Sequence, residues 1–271
     1  MGSGSSPRTG SSRSRRPTPA AFVALAIVGA VFVALPLLGL LLRTPWTRFL
    51  DVLSGGVAGQ ALRLSLVVAT SAAALSFALG FPLAWALARG AFRGKTLVRG
   101  VVVLPLVMPP VVAGVGLLAA FGRRGVIGAW LFEWFGVQLT FTTAAAVLAA
   151  TFVSFPLAVL ALEAGLRGVD RRLEGAASTL GASRGYVLRH VTVPLLGPQI
   201  AAALVLTWAR ALGEFGATIT FAGNLRGRTQ TLPLAVFEGL QQDPDAAFAL
   251  SLLLIGVALA VILALRGRFL R

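Results

Sequence analysis

Six long apolar runs, at 20–42, 64–88, 100–122, 139–162, 191–221 and 246–265, leave this chain few ways to fold. Five of them contain no charged residue, and the run at 191–221 contains two, Arg210 and Glu214. About 20 helical residues rising 1.5 Å each cross about 30 Å of hydrocarbon, and every run is at least that long. In lipid a backbone must close its own hydrogen bonds, so only helices or sealed barrels span. Barrel strands alternate apolar and polar residues over about ten positions, and that pattern is missing. The expected fold class is an all-α integral membrane protein, a six-span helical bundle. Apolar residues make up 57% of the chain and charged residues 12%, whereas a soluble surface needs roughly a quarter charged. A cytosolic enzyme, a secreted disulfide scaffold and a disordered regulator are thereby excluded.

The formal charge of +15 would suggest nucleic acid in a soluble protein. Here the basic residues sit mostly in short loops between apolar runs, where they act as topology signals. With the N-terminus placed inside, 16 basic residues fall on the inner side and 7 on the outer. The expectation is a multi-pass membrane protein with both termini cytoplasmic. Residues 1–19, rich in Ser, Gly, Pro and Arg, read as a disordered cytoplasmic tail, and 20–271 as the membrane domain. Outside, 125–138 holds Trp130, Phe132, Trp134 and Phe135 around Glu133 and reads as a short interfacial helix. Residues 231–242, with Leu232, Val236, Phe237 and Leu240 at helical spacing, read as a second short outer helix.

The inner loop at about 166–190 is the sharpest local feature. Asp170 is placed to cap a helix start. Val169, Leu173, Ala176, Ala177 and Leu180 fall on one face, and Gly181 suits a helix end. Ser183 can cap a second short helix carrying Arg184 and Tyr186, before Pro194 opens the next span. The loop therefore exposes small residues, Gly175, Ala176, Ala177, Ser178 and Gly181, which allow another protein to come close.

Glu174-Gly-Ala-Ala-Ser-Thr-Leu-Gly181, nine residues, then Val191-Thr-Val-Pro194 resembles the cytoplasmic signature E-A-A-x3-G-x9-I-x-L-P of permease subunits of binding-protein-dependent ABC importers. Ala176, Ala177, Gly181 and Pro194 match in register, while Gly175 occupies the Glu position and Glu174 sits one residue early. Trp208-Ala-Arg-Ala-Leu-Gly-Glu-Phe-Gly-Ala-Thr-Ile-Thr-Phe-Ala-Gly-Asn224 with Thr229-Gln-Thr-Leu-Pro-Leu234 narrows this: it is similar to the molybdate and tungstate permease subunits. Sulfate permeases share only the first part. The resemblance implies a homodimer in the lipid bilayer of a bacterial cell membrane, with the oxyanion pathway at its interface. It also implies an extracytoplasmic oxyanion-binding protein and two ATP-binding subunits docked on the inner loops. In that reading Leu173, Glu174, Gly175, Ala176, Ala177, Leu180, Gly181, Arg184 and Tyr186 couple to the ATPase. The chain itself performs no covalent chemistry and needs no cofactor.

Arg210 and Glu214, four apart, are expected on one face of the fifth span, paired or facing the bundle interior. Gly213 and Gly216 flank the acid and permit a bend or close approach. With Thr218 these residues are candidates for the translocation path or its gate, the alternative being a structural pair. Pro82, Pro105, Pro109, Pro110 and Pro156 imply kinks or broken turns. Gly90-Ala-Phe-Arg-Gly94-Lys95-Thr96 has one residue too few between its glycines for a phosphate loop and no preceding strand. Gly114-Val-Gly116-Leu-Leu-Ala119 lies within a span, where glycines pack helices. His190 has no carboxylate or Cys cluster around it for a metal. Other readings are a permease for sulfate, thiosulfate or tungstate, or an ion-gradient-driven transporter that would use Arg210 and Glu214 as a proton relay. An intramembrane enzyme would need a nucleophile–base pair that the spans lack.

Overall fold

The computed structural model describes residues 20–269, with side chains described through 264. The tail expected at 1–19 lies outside the described residues. Helix α1 (Ala20–Arg43) belongs to one compact unit and everything from Thr44 onward to the other. α1 has a mean hydropathy of 2.8 over its best window, and its interior Pro36 does not interrupt it.

In the second unit the described residues form helices joined by turns, without a strand. The first three are α2 (Phe49–Ser54), α3 (Gly56–Arg89) and α4 (Lys95–Val107). They are followed by α5 (Pro110–Phe121), α6 (Gly128–Phe135) and α7 (Thr143–Gly168). α3 and α7 make the central pair. Alanines line their contact: Ala69 and Ala72 on one, and Ala145, Ala146, Ala149 and Ala150 on the other, are buried in one cluster. Lipid gives no hydrophobic drive between helices, so small side chains that let backbones approach supply the packing. Pro82 and Pro156 lie inside these two helices without ending them.

The break does occur in the third apolar run. α4 and α5 meet at 119°, and neither arm is long enough to cross a bilayer alone. Met108 is extended (φ −67°, ψ 135°) because the following Pro109 excludes the helical region, and Pro110 then starts α5. The run at 100–122 is therefore two short helices rather than one continuous helix.

α8 (Arg171–Thr179) and α9 (Arg184–Val187) follow α7. A π-helical turn at Leu188–Thr192 and the short α10 (Val193–Leu195) lead to α11 (Gly197–Leu212), which turns 70° from the segment before it. α11 packs across both α7 and α3. α12 (Gly216–Phe221), α13 (Leu232–Gln242) and α14 (Pro244–Phe269) complete the chain. The fifth apolar run is thus broken near each end. Four helices among the described residues are long and apolar enough to span, and six crossings result if each bent pair counts as one. The two short helices expected at 125–138 and 231–242 are present as α6 and α13.

Candidate coupling and pathway sites

Two polar ends flank the apolar middle. At one end lie the C-termini of α3 and α7, the start of α4, and α8 with α9. The Asp170 side chain accepts from the Arg172 N–H at 2.9 Å and starts α8. The helix stops where Gly181 takes φ +86°, a left-handed conformation that costs glycine little. There the Gly181 N–H donates to the Ser178 carbonyl at 3.0 Å and the Ala182 N–H to the Ala177 carbonyl at 3.1 Å, the paired bonds of a Schellman ending. Ser183 Oγ then accepts from the Tyr186 N–H at 3.3 Å and opens α9.

This turn presents most of the predicted coupling residues outward. Leu173, Gly175, Ala176, Leu180, Gly181, Arg184 and Tyr186 are exposed, Leu180 at 89%, and Ala177 is half-buried. The apolar stripe is therefore uncovered by its own chain. Tyr186 stacks on His190 with ring centroids 4.2 Å apart.

Glu174 differs from that set. Its side chain turns inward, where Oε1 accepts from Arg89 Nη2 at 3.1 Å and from Thr192 Oγ1 at 2.9 Å. Arg89 ends α3 and Thr192, fully buried, ends the π-helical turn. One carboxylate oxygen thus ties α8 to the central helix pair and to the entry of α11. Beside this node, buried Glu163 on α7 accepts from Arg99 of α4 and, at 2.7 Å, from Arg167 one turn later. Sequence reasoning counted Arg89, Arg99 and Arg167 only as topology charges and passed over Glu163 and Thr192. The i,i+4 spacing of Glu163 and Arg167 was the available signal.

Arg210 and Glu214 are joined, but not along one continuous helix. α11 ends at Leu212, and Glu214 sits in the break with its side chain 2% exposed. Its Oε2 accepts from Arg210 Nη1 at 2.8 Å, and its Oε1 accepts from the Ala217 N–H at 2.9 Å. The second bond caps the first turn of α12, whose N-terminal N–H groups have no helical partners. Gly213 is exposed at the bend. Gly216 and Gly114 seat α12 against α5: a Cβ on Gly216 would lie 2.6 Å from Pro110 Cβ, and one on Gly114 2.6 Å from Thr220 Cβ. Thr218 is buried in that region at 1% exposure. Gly116 has open space where a side chain would be, so of the two glycines in that run only Gly114 packs helices.

The opposite end is organised by Glu238 of α13. It accepts from Asn224 Nδ2 at 3.1 Å and from Arg226 and Gln230. The Arg226 bond is the main reason its carboxyl lies below the ordinary value of 4.5, with partial burial opposing it and the charge of Arg226, Asn224 and Gln230 assisting. Arg48, just before α2, pairs with Asp243 at 3.3 Å and Asp245 at 3.6 Å. α6 carries Trp130 and Trp134 exposed at this end, and Arg123 lies 4.2 Å above the Phe132 ring, within cation–π range.

Residues 76–271 match the family described as binding-protein-dependent transport system inner membrane component. The molybdenum transport system permease protein ModB of Mycobacterium tuberculosis is 48% identical over 245 residues, 90% of this chain and 92% of that protein. The Escherichia coli K12 protein of the same name is 47% identical over 203 residues, 75% of this chain and 89% of that protein. Among solved structures, a chain of a bacterial ABC transporter that imports alginate superposes with a TM-score of 0.73 at 18% identity, covering 91% of this chain and 93% of that one. That likeness carries the fold alone. The chain belongs to the binding-protein-dependent transport system inner membrane components, a multi-pass membrane permease family, and within them to the ModB-type permeases.

Proposed function

We propose that this chain is the permease subunit of an ATP-driven importer of molybdate, acting as a homodimer that encloses the anion pathway. The relatives named for molybdenum transport at 47–48% identity support the substrate. The observation that carries the mechanism is α8: a capped helix with an uncovered small and apolar face, held from beneath by Glu174. A face of that kind suits a cleft in an ATP-binding subunit, where Gly175, Ala176, Ala177 and Gly181 let backbones close and Leu173 and Leu180 bury apolar area. Arg184 and Tyr186 form the rim of the same contact. Glu174 acts differently from the docking residues: it passes displacement of α8 to α3 and α11.

Two copies of the ATP-binding subunit, one for each α8, would draw together when ATP binds. The rigid links through Glu174 and Glu163 then move α3, α4, α7 and α11 as a group. The break at Gly213, closed by the Arg210–Glu214 pair and followed by Gly216 and Thr218 against α5, is the point where this motion reaches the pathway. In this reading the α8 end and both termini face the cytoplasm. The end bearing α6 and α13 faces outward and receives an oxyanion-binding protein. An ion-gradient mechanism would leave the exposed α8 face without a role.

The test is reconstitution in proteoliposomes with a cognate ATP-binding subunit and oxyanion-binding protein. Uptake of molybdate that requires ATP and the binding protein, and exceeds sulfate uptake at equal concentration, is the expected result. Uptake driven by a proton or sodium gradient without ATP would refute the assignment.

A further inference from the structure

The exposed side of α3 is not uniformly apolar. Gln60, Arg63, Val67 and Thr70 recur at spacings of three and four and are all exposed, while Ala61, Ser65, Val68, Ala69 and Ala72 on the other side are buried. Side chains three and four apart share a helix face, so these four make a stripe with three polar members. Polar groups turned to lipid are costly, and intramembrane polar residues face cavities or partners. The stripe ends against α11, where Trp208 Nε1 donates to Thr70 Oγ1 at 3.2 Å.

A cavity of about 460 Å³ opens at the outer part of the stripe, lined by Gln60, Arg63, Leu64, Val67 and Gly227. Gly227 brings bare backbone to its rim: a Cβ there would lie 3.6 Å from Gln60 Oε1. The loop that supplies Gly227 is tightly held. The N–H groups of Arg228, Thr229 and Gln230 all donate to the Leu225 carbonyl, and Thr143 Oγ1 donates to the Arg228 carbonyl at 2.8 Å. The loop wall of the cavity is therefore fixed.

Its charge is uncompensated. Arg226 of the same loop is engaged by Glu238, and Arg48 by Asp243 and Asp245. Arg63 has neither an ion pair nor a hydrogen bond among the described residues, and the cavity has no acidic lining residue. A guanidinium offers five donors in a planar fork suited to tetrahedral oxyanions, and the Gln60 amide adds two more.

We infer that Arg63 and Gln60, in the cavity beneath the Gly227 loop, form a receiving site for the transported tetrahedral oxyanion at the outer mouth of the pathway. The inference rests on the oxyanion-permease reading and adds to it the residues that take the anion. The same chemistry would bind the phosphate of a lipid headgroup, and the test separates the two.

Wild type, Arg63→Gln and Arg63→Lys are reconstituted with the ATPase and binding protein in vesicles of phosphatidylcholine, alone and with phosphatidylglycerol. Molybdate uptake and binding-protein-stimulated ATP hydrolysis are both measured. Uptake by Arg63→Gln is expected to fall at least tenfold in both lipids while hydrolysis stays within twofold of wild type. Arg63→Lys should fall between, because it keeps the charge and loses the fork. Wild-type uptake by Arg63→Gln overturns the inference and leaves the permease reading intact. A defect confined to one lipid composition, or full rescue by Lys, overturns it in favour of a headgroup or interfacial anchor. Should Arg63→Gln fail to assemble, Arg63→Lys decides: reduced uptake with normal hydrolysis supports the site, and wild-type uptake removes it. A wild-type protein that takes up neither molybdate, tungstate nor sulfate overturns both the inference and the reading beneath it.

Discussion

Replacing Glu214 by alanine removes two hydrogen bonds from one buried carboxylate, and the structure sets the order of the resulting losses. The side chain is 2% exposed and joins Arg210 at 2.8 Å and the Ala217 N–H at 2.9 Å. Removing one member of a buried ion pair costs about 3–5 kcal/mol in soluble proteins. Arg210 is 32% exposed and can take up water when orphaned, which places the pair at the low end, about 3 kcal/mol. Loss of the cap on α12 adds about 1 kcal/mol, so Glu214→Ala should cost about 4 kcal/mol. Arg210→Ala with Glu214→Ala leaves no orphaned charge and loses mainly the cap, about 1–2 kcal/mol. Arg210→Ala with Glu214→Gln keeps a side-chain oxygen for the Ala217 N–H and should lie within about 1 kcal/mol of wild type. Denaturant or thermal unfolding of the three variants in one detergent gives the order directly. A double alanine variant less stable than Glu214→Ala would refute the reasoning, because additive losses mean that Arg210 and Glu214 do not stabilise each other. If the pair also holds the break closed, the Arg210→Ala, Glu214→Gln protein should be stable and yet hydrolyse ATP without regulation by the binding protein.

Other variants probe the two polar ends. Glu174→Ala orphans Arg89, whose side chain is 12% exposed, and should destabilise more than Arg89→Met with Glu174→Ala; hydrolysis with little uptake in Glu174→Gln would fit its role as a link. Gly216→Val should unseat α12 from Pro110 and lower stability by a few kcal/mol, about the cost of overpacking, whereas Gly116→Ala, with open space beside it, should be silent in the same unfolding assay. Glu238 has a lowered carboxyl pKa, so its contribution is complete above the unfolded value near 4.5 and declines as pH falls through the lower folded value. Glu238→Gln should flatten the acid limb of the stability–pH curve below about pH 4.5, and an unchanged limb would contradict that assignment.

The reach of the sequence differs from element to element. The positions of α1, α3, α7 and α14 are close to what uncharged length requires, because lipid allows few alternatives. The short helices α6 and α13 and the caps at Asp170, Ser183 and Gly181 are also legible, since capping depends on residues a few positions apart. The runs at 100–122 and 191–221 look continuous by hydropathy and are broken in the fold. Hydropathy does not register a Met108–Pro109 backbone switch or the need of α12 for a cap. The Arg210–Glu214 pair was predicted from its spacing, but the halt of α11 at Leu212 was not, so the capping role of Glu214 emerged only in the structure. Glu174 shows the same limit most sharply. The linear motif puts it among the coupling residues but carries no sign of its partners Arg89 and Thr192, 85 and 18 positions away. Contacts over such separations leave no local periodicity to read.

In the proposed mechanism the exposed face of α8 transmits ATP hydrolysis to the pathway. Changing Ala177 to Arg places a bulky charge in that close-packed contact, where it clashes and is hard to desolvate, while α8 keeps its Asp170 cap, its Glu174 anchor and its Gly181 ending. The most direct measurement is molybdate uptake and ATP hydrolysis recorded together in proteoliposomes holding this variant, its ATPase and its binding protein. Normal insertion, uptake reduced at least tenfold, and hydrolysis that no longer responds to the binding protein are expected. Uptake and stimulated hydrolysis both at wild-type levels would show that α8 is not the coupling element.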